Sequence, residues 1–164
     1  MAEADSRKDD TSISPLMQRA VEIGVAEAFL SVLTEHLGEA SAAELFQQVV
    51  DRLAVSAAQG LQVRYPDPSL ADLWEIWSSH LGADGRLDLQ LDELSDARLH
   101  FHVDHCAYAD LYRSRGQEQV GIALSCRRDK PFAEALIPRV AVEQSKTILE
   151  GSHRCEFTYT LEDQ

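Results

Sequence analysis

The sequence predicts an α+β fold: N-terminal helices followed by an antiparallel sheet of about four strands, with helical turns between its hairpins. Three observations predict it. Apolar residues recur at helical spacing through the first half of the chain. From Leu87 the period changes, and Leu87, Leu89 and Leu91 alternate with Asp88, Gln90 and Asp92. Two pairs of alternating segments are each joined by turn-forming residues, so both pairs read as hairpins.

Residues 1–13 are polar and charged and read as a flexible tail. Residues 14–164 read as one domain, helical over 14–82 and sheet-containing over 83–164. Ser14-Pro15 suits a helix N-cap and first position. Leu16, Ala20, Ile23, Ala26, Leu30, Leu33 and Leu37 then form a buried stripe, closed by Gly38. Ser41 to Glu44 reads as a capping box opening a second helix, with Leu45, Val49, Leu53 and Ala57 as its inner stripe. Pro66 and Pro68 break the chain. Ser69 to Asp72 restarts it as a short helix through Trp74, Ile76 and Trp77 to Gly82.

In the second half, Leu99, Phe101 and Val103 alternate with His100, His102 and Asp104, and Ser95-Asp96 supplies the turn to the preceding strand. Tyr108 to Arg115 reads as helical and stops at Gly116. Val120 to Cys126 is apolar enough to be buried, and Lys130 to Leu136 offers another helical turn or two. Val140 to Leu149 and Cys155 to Leu161 alternate again around Glu150 to Arg154, a second hairpin.

Composition bounds the function. The 164 residues are 45% hydrophobic and 26% charged, which suits a globular core rather than disorder. The net charge of −13 comes without clustered Lys and Arg, so nucleic acid is not the expected partner. An acidic surface disfavours anionic membranes, and no apolar run approaches the ~20 residues of a membrane span. With no apolar leader visible and an odd number of cysteines, three, a cytoplasmic protein is expected.

The chemistry-bearing residues gather between Asp104 and Tyr159. Cys106, Cys126 and Cys155 each sit at an element boundary, where side chains can converge on a pocket. A free cysteine is equally a small buried hydrophobe, so packing is the alternative for each. Cys126 is followed by Arg127, Arg128 and Asp129. Nearby cations would lower the thiol pKa, and the carboxyl could orient a base or accept an N–H. The alternative is a solvated turn. His105 adjoins Cys106, and His153 precedes Cys155 by two residues, so a Cys–His pair is available. His100 and His102 share one strand face, which also suits an exposed polar surface. No Cys-x-x-Cys or His-x-x-x-His spacing supports a zinc site, and no P-loop, dinucleotide or G-x-S-x-G motif is present.

Three segments together resemble a known family: Cys106-Ala107-Tyr108-Ala109-Asp110, Cys126-Arg127-Arg128-Asp129, and Thr147-Ile148-Leu149-Glu150-Gly151 with Cys155-Glu156-Phe157. They are similar to the motifs of the L-2-amino-thiazoline-4-carboxylic acid hydrolase family. The resemblance covers roughly residues 99–161 and, more weakly, the helical half. It implies hydrolytic opening of a cyclic amidine-like ring to an N-carbamoyl amino acid. The family often carries Arg where this chain has Gln144, Asn or similar where it has Arg127, and Asp where it has Glu156. Loss of an arginine at 144 would remove a carboxylate clamp and change the substrate. The C-terminal part also resembles the 4-vinyl reductase domain, which implies a ligand-binding α+β fold, often dimeric, and a rival function of binding without catalysis.

We therefore expect a small cytoplasmic hydrolase acting on a cyclic C=N bond of a small molecule. We assign Cys126, Asp129, His153, Cys106 and Cys155 to catalysis, with Cys126 as nucleophile and His153 or His105 as proton shuttle. His105, Tyr108, Arg127 and Gln144 are assigned to substrate binding. Neither metal nor cofactor is expected, and a homodimer is the expected assembly. In the alternatives, Cys126 and its partners only shape the pocket while water is activated directly, or the chain is a sensor.

Overall fold

The computed structural model describes residues 13–162, so the expected tail lies, apart from Ile13, outside the described residues. Helix α1 spans Pro15–Leu37, and the Ser14 hydroxyl accepts the Met17 N–H at 3.2 Å as the N-cap. Gly38, at φ +79°, turns the chain in a single residue, and α2 follows at once as Glu39–Leu61. The Ala42 N–H bonds the Gly38 carbonyl at 3.0 Å. Ser41 therefore lies inside the first turn, and the capping box expected at Ser41–Glu44 does not form.

The inner face of α2 also differs from expectation. Ala42, Phe46, Val50, Ala54 and Ala58 are buried, whereas Leu45, Val49 and Leu53 are exposed. Both stripes fit a helical period. The small side chains of the first let α1 and α6 approach closely, and that contact selects it. In α1 only Ile23 and Ala26 are fully buried. A second apolar stripe on the same helix, Met17, Val21, Val25, Phe29 and Val32, is 53–66% exposed.

Helix α3, Leu70–Glu75, opens with a complete Ser69/Asp72 capping box, in which the Ser69 N–H bonds Asp72 Oδ2 at 2.8 Å. It continues as a π-helical turn, Ile76–Leu81. Arg86 holds that turn by donating to the carbonyls of His80 (2.7 Å) and Leu81 (3.2 Å).

Four strands follow: β1 Leu87–Leu94, β2 Arg98–Cys106, β3 Val140–Gln144 and β4 Cys155–Leu161. They form one antiparallel sheet in the order β1-β2-β4-β3. Helices α4 Ala107–Ser114, α5 Glu118–Leu124 and α6 Asp129–Leu136 lie between the hairpins. The second hairpin is less regular than expected. Strand β3 stops at Gln144, and Thr147 and Glu150 form a capping box around a 3-10 turn, Ile148–Glu150. That box turns Ile148 and Thr147 inward, where both are buried. No helix among the described residues is long and apolar enough to cross a membrane.

The inner sheet face is read directly from the alternation. Leu99, Phe101 and Val103 oppose Tyr159, Phe157 and Cys155 across β2 and β4. Phe101 and Phe157 stack at 5.1 Å, and Trp77 tilts onto both rings at 5.1 and 4.8 Å. Cys155 is the last rung of this ladder, where the aromatic packing ends and a cavity begins.

Candidate functional site

The cavity has a volume of about 380 Å³. Its floor is the end of the sheet, with Leu87, Val103, Cys155 and Phe157. Trp77, His80 and Leu81 of the π-helical turn close one side. Arg19 of α1 with Ser125, Cys126, Arg128, Asp129 and Phe132 close the other. Thr147, Ile148 and Leu149 complete the wall.

Each cysteine reaches this space from the end of an element. Cys106 ends β2 and caps α4, with its Sγ accepting the Ala109 N–H at 3.4 Å. Cys126 begins the 3-10 turn before α6. Cys155 opens β4, and its Sγ accepts the Ile148 N–H at 3.2 Å. All three are free thiols lining the cavity, joined there by Asp129. A helix N-terminus favours a thiolate, yet burial outweighs it at Cys106 and pushes the thiol pKa up. Burial also raises Cys155, to about 11. Cys126 is pushed up furthest, by burial and then by the Asp129 carboxylate, against a hydrogen bond from Thr147.

The arginines after Cys126 do not offset this burial. Arg127 is exposed and lines a separate shallow pocket with Lys146 and Glu150. The loss of water around the sulfur outweighs any nearby positive charge. The acidic group of the cavity is Asp129. Burial raises its carboxyl to about 8, although Arg128 and then Arg19 pull it down. With its carboxyl raised to about 8, Asp129 holds a proton at neutral pH.

The structure brings together Cys106, Tyr108, Cys126, Asp129, Gln144 and Cys155. His105, His153 and Arg127 do not line the cavity. His105 is exposed and bonds Asp110 Oδ2 at 2.8 Å, and His153 sits exposed in the bend before β4. Neither ring is among the groups that surround the thiols in the cavity. His100 and His102 lie on the outer sheet face, where His102 Nδ1 is 2.7 Å from Asp92 Oδ2.

Sequence reasoning missed His80, which stands at the cavity mouth, and Arg19. Arg19 had a readable signal. It falls at i−4 from Ile23, within the inner stripe of α1, where a charged residue breaks the pattern.

The sequence model of the L-2-amino-thiazoline-4-carboxylic acid hydrolases matches residues 18–159. The chain belongs to this family. The match includes most of α1 and with it Arg19, so it extends well beyond the C-terminal motifs. No individually curated protein matches the sequence. Among solved structures, the phenol-responsive sensory domain of the transcription activator PoxR with phenol is similar, with a TM-score of 0.53 at 13% identity. That match covers 89% of this chain and 75% of the other, and it shows a shared fold. Trafficking protein particle complex subunit 3 from Naegleria fowleri, covalently bound to palmitic acid, matches with a TM-score of 0.49 at 14% identity. There the coverage is 87% of this chain and 96% of the other.

Proposed function

We propose that the protein is a hydrolase that opens a small cyclic amidine of the thiazoline type, with Cys126 and Asp129 as its reacting pair. One observation carries this reading: in a chain of this hydrolase family, Cys126, Cys106, Cys155 and Asp129 line a single cavity. Its volume of about 380 Å³ suits a small heterocycle. Protonated Asp129 donates to the ring nitrogen while the Cys126 sulfur adds to the C=N carbon. The thiol proton passes to the other Asp129 oxygen, so the acid is regenerated and H–S has added across C=N. The ring C–S bond then breaks, and its sulfur leaves as a thiol with the proton from the former ring nitrogen, which leaves an isothiourea on Cys126. Water adds to that carbon, and its protons end on the nitrogen and on Cys126, which is released as a thiol and leaves a carbamoyl group. A thiol held neutral suits this route, because its proton departs only as the carbon–sulfur bond forms.

The test is turnover of L-2-amino-thiazoline-4-carboxylate followed by NMR. Cys126→Ala and Asp129→Asn should each lower kcat at least about 100-fold, the scale of losing a nucleophile or a general acid. Undiminished turnover by Cys126→Ala removes the covalent step and leaves direct attack by water, with the cysteines as pocket walls.

A second reading is a non-catalytic small-molecule-binding domain. The raised thiols and mostly apolar walls favour it, and the sensory domain that shares the fold was solved with phenol. Saturable binding with no product from any cyclic amidine would select it.

We read residues 14–164 as one domain, because Tyr108 and Leu149 pack against both the sheet cluster around Leu99, Phe101 and Phe157 and the helical cluster around Ile23, Phe46 and Tyr112. We also place a second copy of the chain on the outward stripe of α1. Scattered exposed apolar residues are ordinary, but a contiguous stripe over ~22 Å of helix is an interface signature. The net charge of −13 repels copies elsewhere, and this stripe is uncharged. Three free thiols fit a reducing compartment, which supports a cytoplasmic location.

A further inference from the structure

We propose that Arg19 and Arg128 form a two-guanidinium seat for a carboxylate, and that this seat makes the cavity select small heterocyclic acids over their neutral counterparts. The proposal deepens the hydrolase reading by naming the feature of the substrate that the site grips, and it rests on the same cavity. Arg19 projects from the buried stripe of α1 with its side chain only 12% exposed. Burying a guanidinium is costly unless it is paired and hydrogen-bonded. One guanidinium nitrogen meets Glu22, but the buried Nε has no hydrogen-bond partner among the described residues. Arg128 is half-buried on the same wall, and the two cations sense each other's charge.

The wall does not neutralise this pair. Glu22 offsets one charge, while Asp129, the carboxyl beside Arg128, holds its proton at neutral pH. A positive charge is therefore left facing a largely apolar space. Nε2 of Gln144, on the same cavity, is a further buried donor without a partner among the described residues. A planar carboxylate is the small group that two guanidinium forks satisfy best, through paired N–H···O bonds. A neutral ring would leave the excess charge unmet. The ring would lie against Trp77, Phe132 and the thiols, with its reacting carbon held near Cys126.

The test uses two probes that cannot be hydrolysed, thiazole-4-carboxylate and thiazole, titrated calorimetrically into the full chain. The wild type should bind the acid at least about tenfold more tightly than thiazole, as charge-assisted hydrogen bonds require. In Arg19→Gln and in Arg128→Gln this preference should fall to within about threefold, with circular dichroism confirming the fold. Arg19→Lys, which keeps the charge but loses the fork, should retain part of it. An unchanged preference in both glutamine variants overturns the seat. So does a wild type that binds both probes equally, or neither. If Arg19→Gln does not fold, Arg128→Gln alone decides. An arginine-dependent preference in a protein that never hydrolyses a thiazoline leaves the seat standing and removes the hydrolase reading.

Discussion

Asp129 sets the electrostatics of the cavity. Its carboxyl titrates near 8, against 3.8 for the ordinary group, because burial disfavours the charged form. Below about pH 4 folded and unfolded chains both hold this proton. Between 4 and 8 only the folded chain does, so rising pH removes stability at up to about 1.4 kcal/mol per pH unit. Above 8 the contribution is flat. Asp129→Asn mimics the protonated acid and should remove this slope. The stability difference between variant and wild type, measured by urea unfolding, should grow in the variant's favour from pH 5 to 8 and level off beyond. A difference that stays constant over that range would show that Asp129 titrates as an ordinary exposed carboxylate. The residues themselves were partly legible. The cysteines stood at element ends in the sequence, whereas the direction of their pKa shifts depends on burial that no local motif reveals.

At the scale of the element, close approach decides more than propensity. Gly121 sits in α5 where an added Cβ would lie 2.5 Å from the Tyr112 ring and 2.8 Å from Leu149 Cδ1. The ring cannot easily yield, since its hydroxyl is hydrogen-bonded to Ser125 Oγ at 2.8 Å. Gly121→Ala should therefore lower stability by about 1–3 kcal/mol, the cost of overpacking a core. Chemical denaturation checks it, and a neutral result would mean that α5 shifts freely. Alanine is the better helix former, so propensity alone predicts the opposite sign. The same limit explains the α2 face. Two stripes of equal period were available in the sequence, and the partners in space chose between them. The shortened β3 follows a local signal that alternation concealed, the Thr147/Glu150 capping box.

For the whole molecule, the outward stripe of α1 predicts assembly. In sedimentation the wild type should run as a dimer, and Val25→Glu should run as a monomer, because a charge buried in an apolar contact lacks a partner. A wild-type monomer at every concentration would leave the stripe without an occupant. Activity measured on the same samples would show whether the cavity, whose wall includes the opposite face of α1, depends on the dimer.

Although Val120 to Cys126, read only as buried, proved to hold most of helix α5, the sequence by itself determined the α+β class, the helices-then-sheet order, the two hairpins and the family motifs. These depend on periodicity, caps and turns, which act between neighbours in the chain. Only the tertiary structure decided which face of α2 is inside, that Arg19 joins residues more than a hundred positions away, and that His105 and His153 are exposed outside the cavity lining. The reason is physical. A side chain's burial and charge state are set by what surrounds it in space, and packing brings those surroundings from distant parts of the chain.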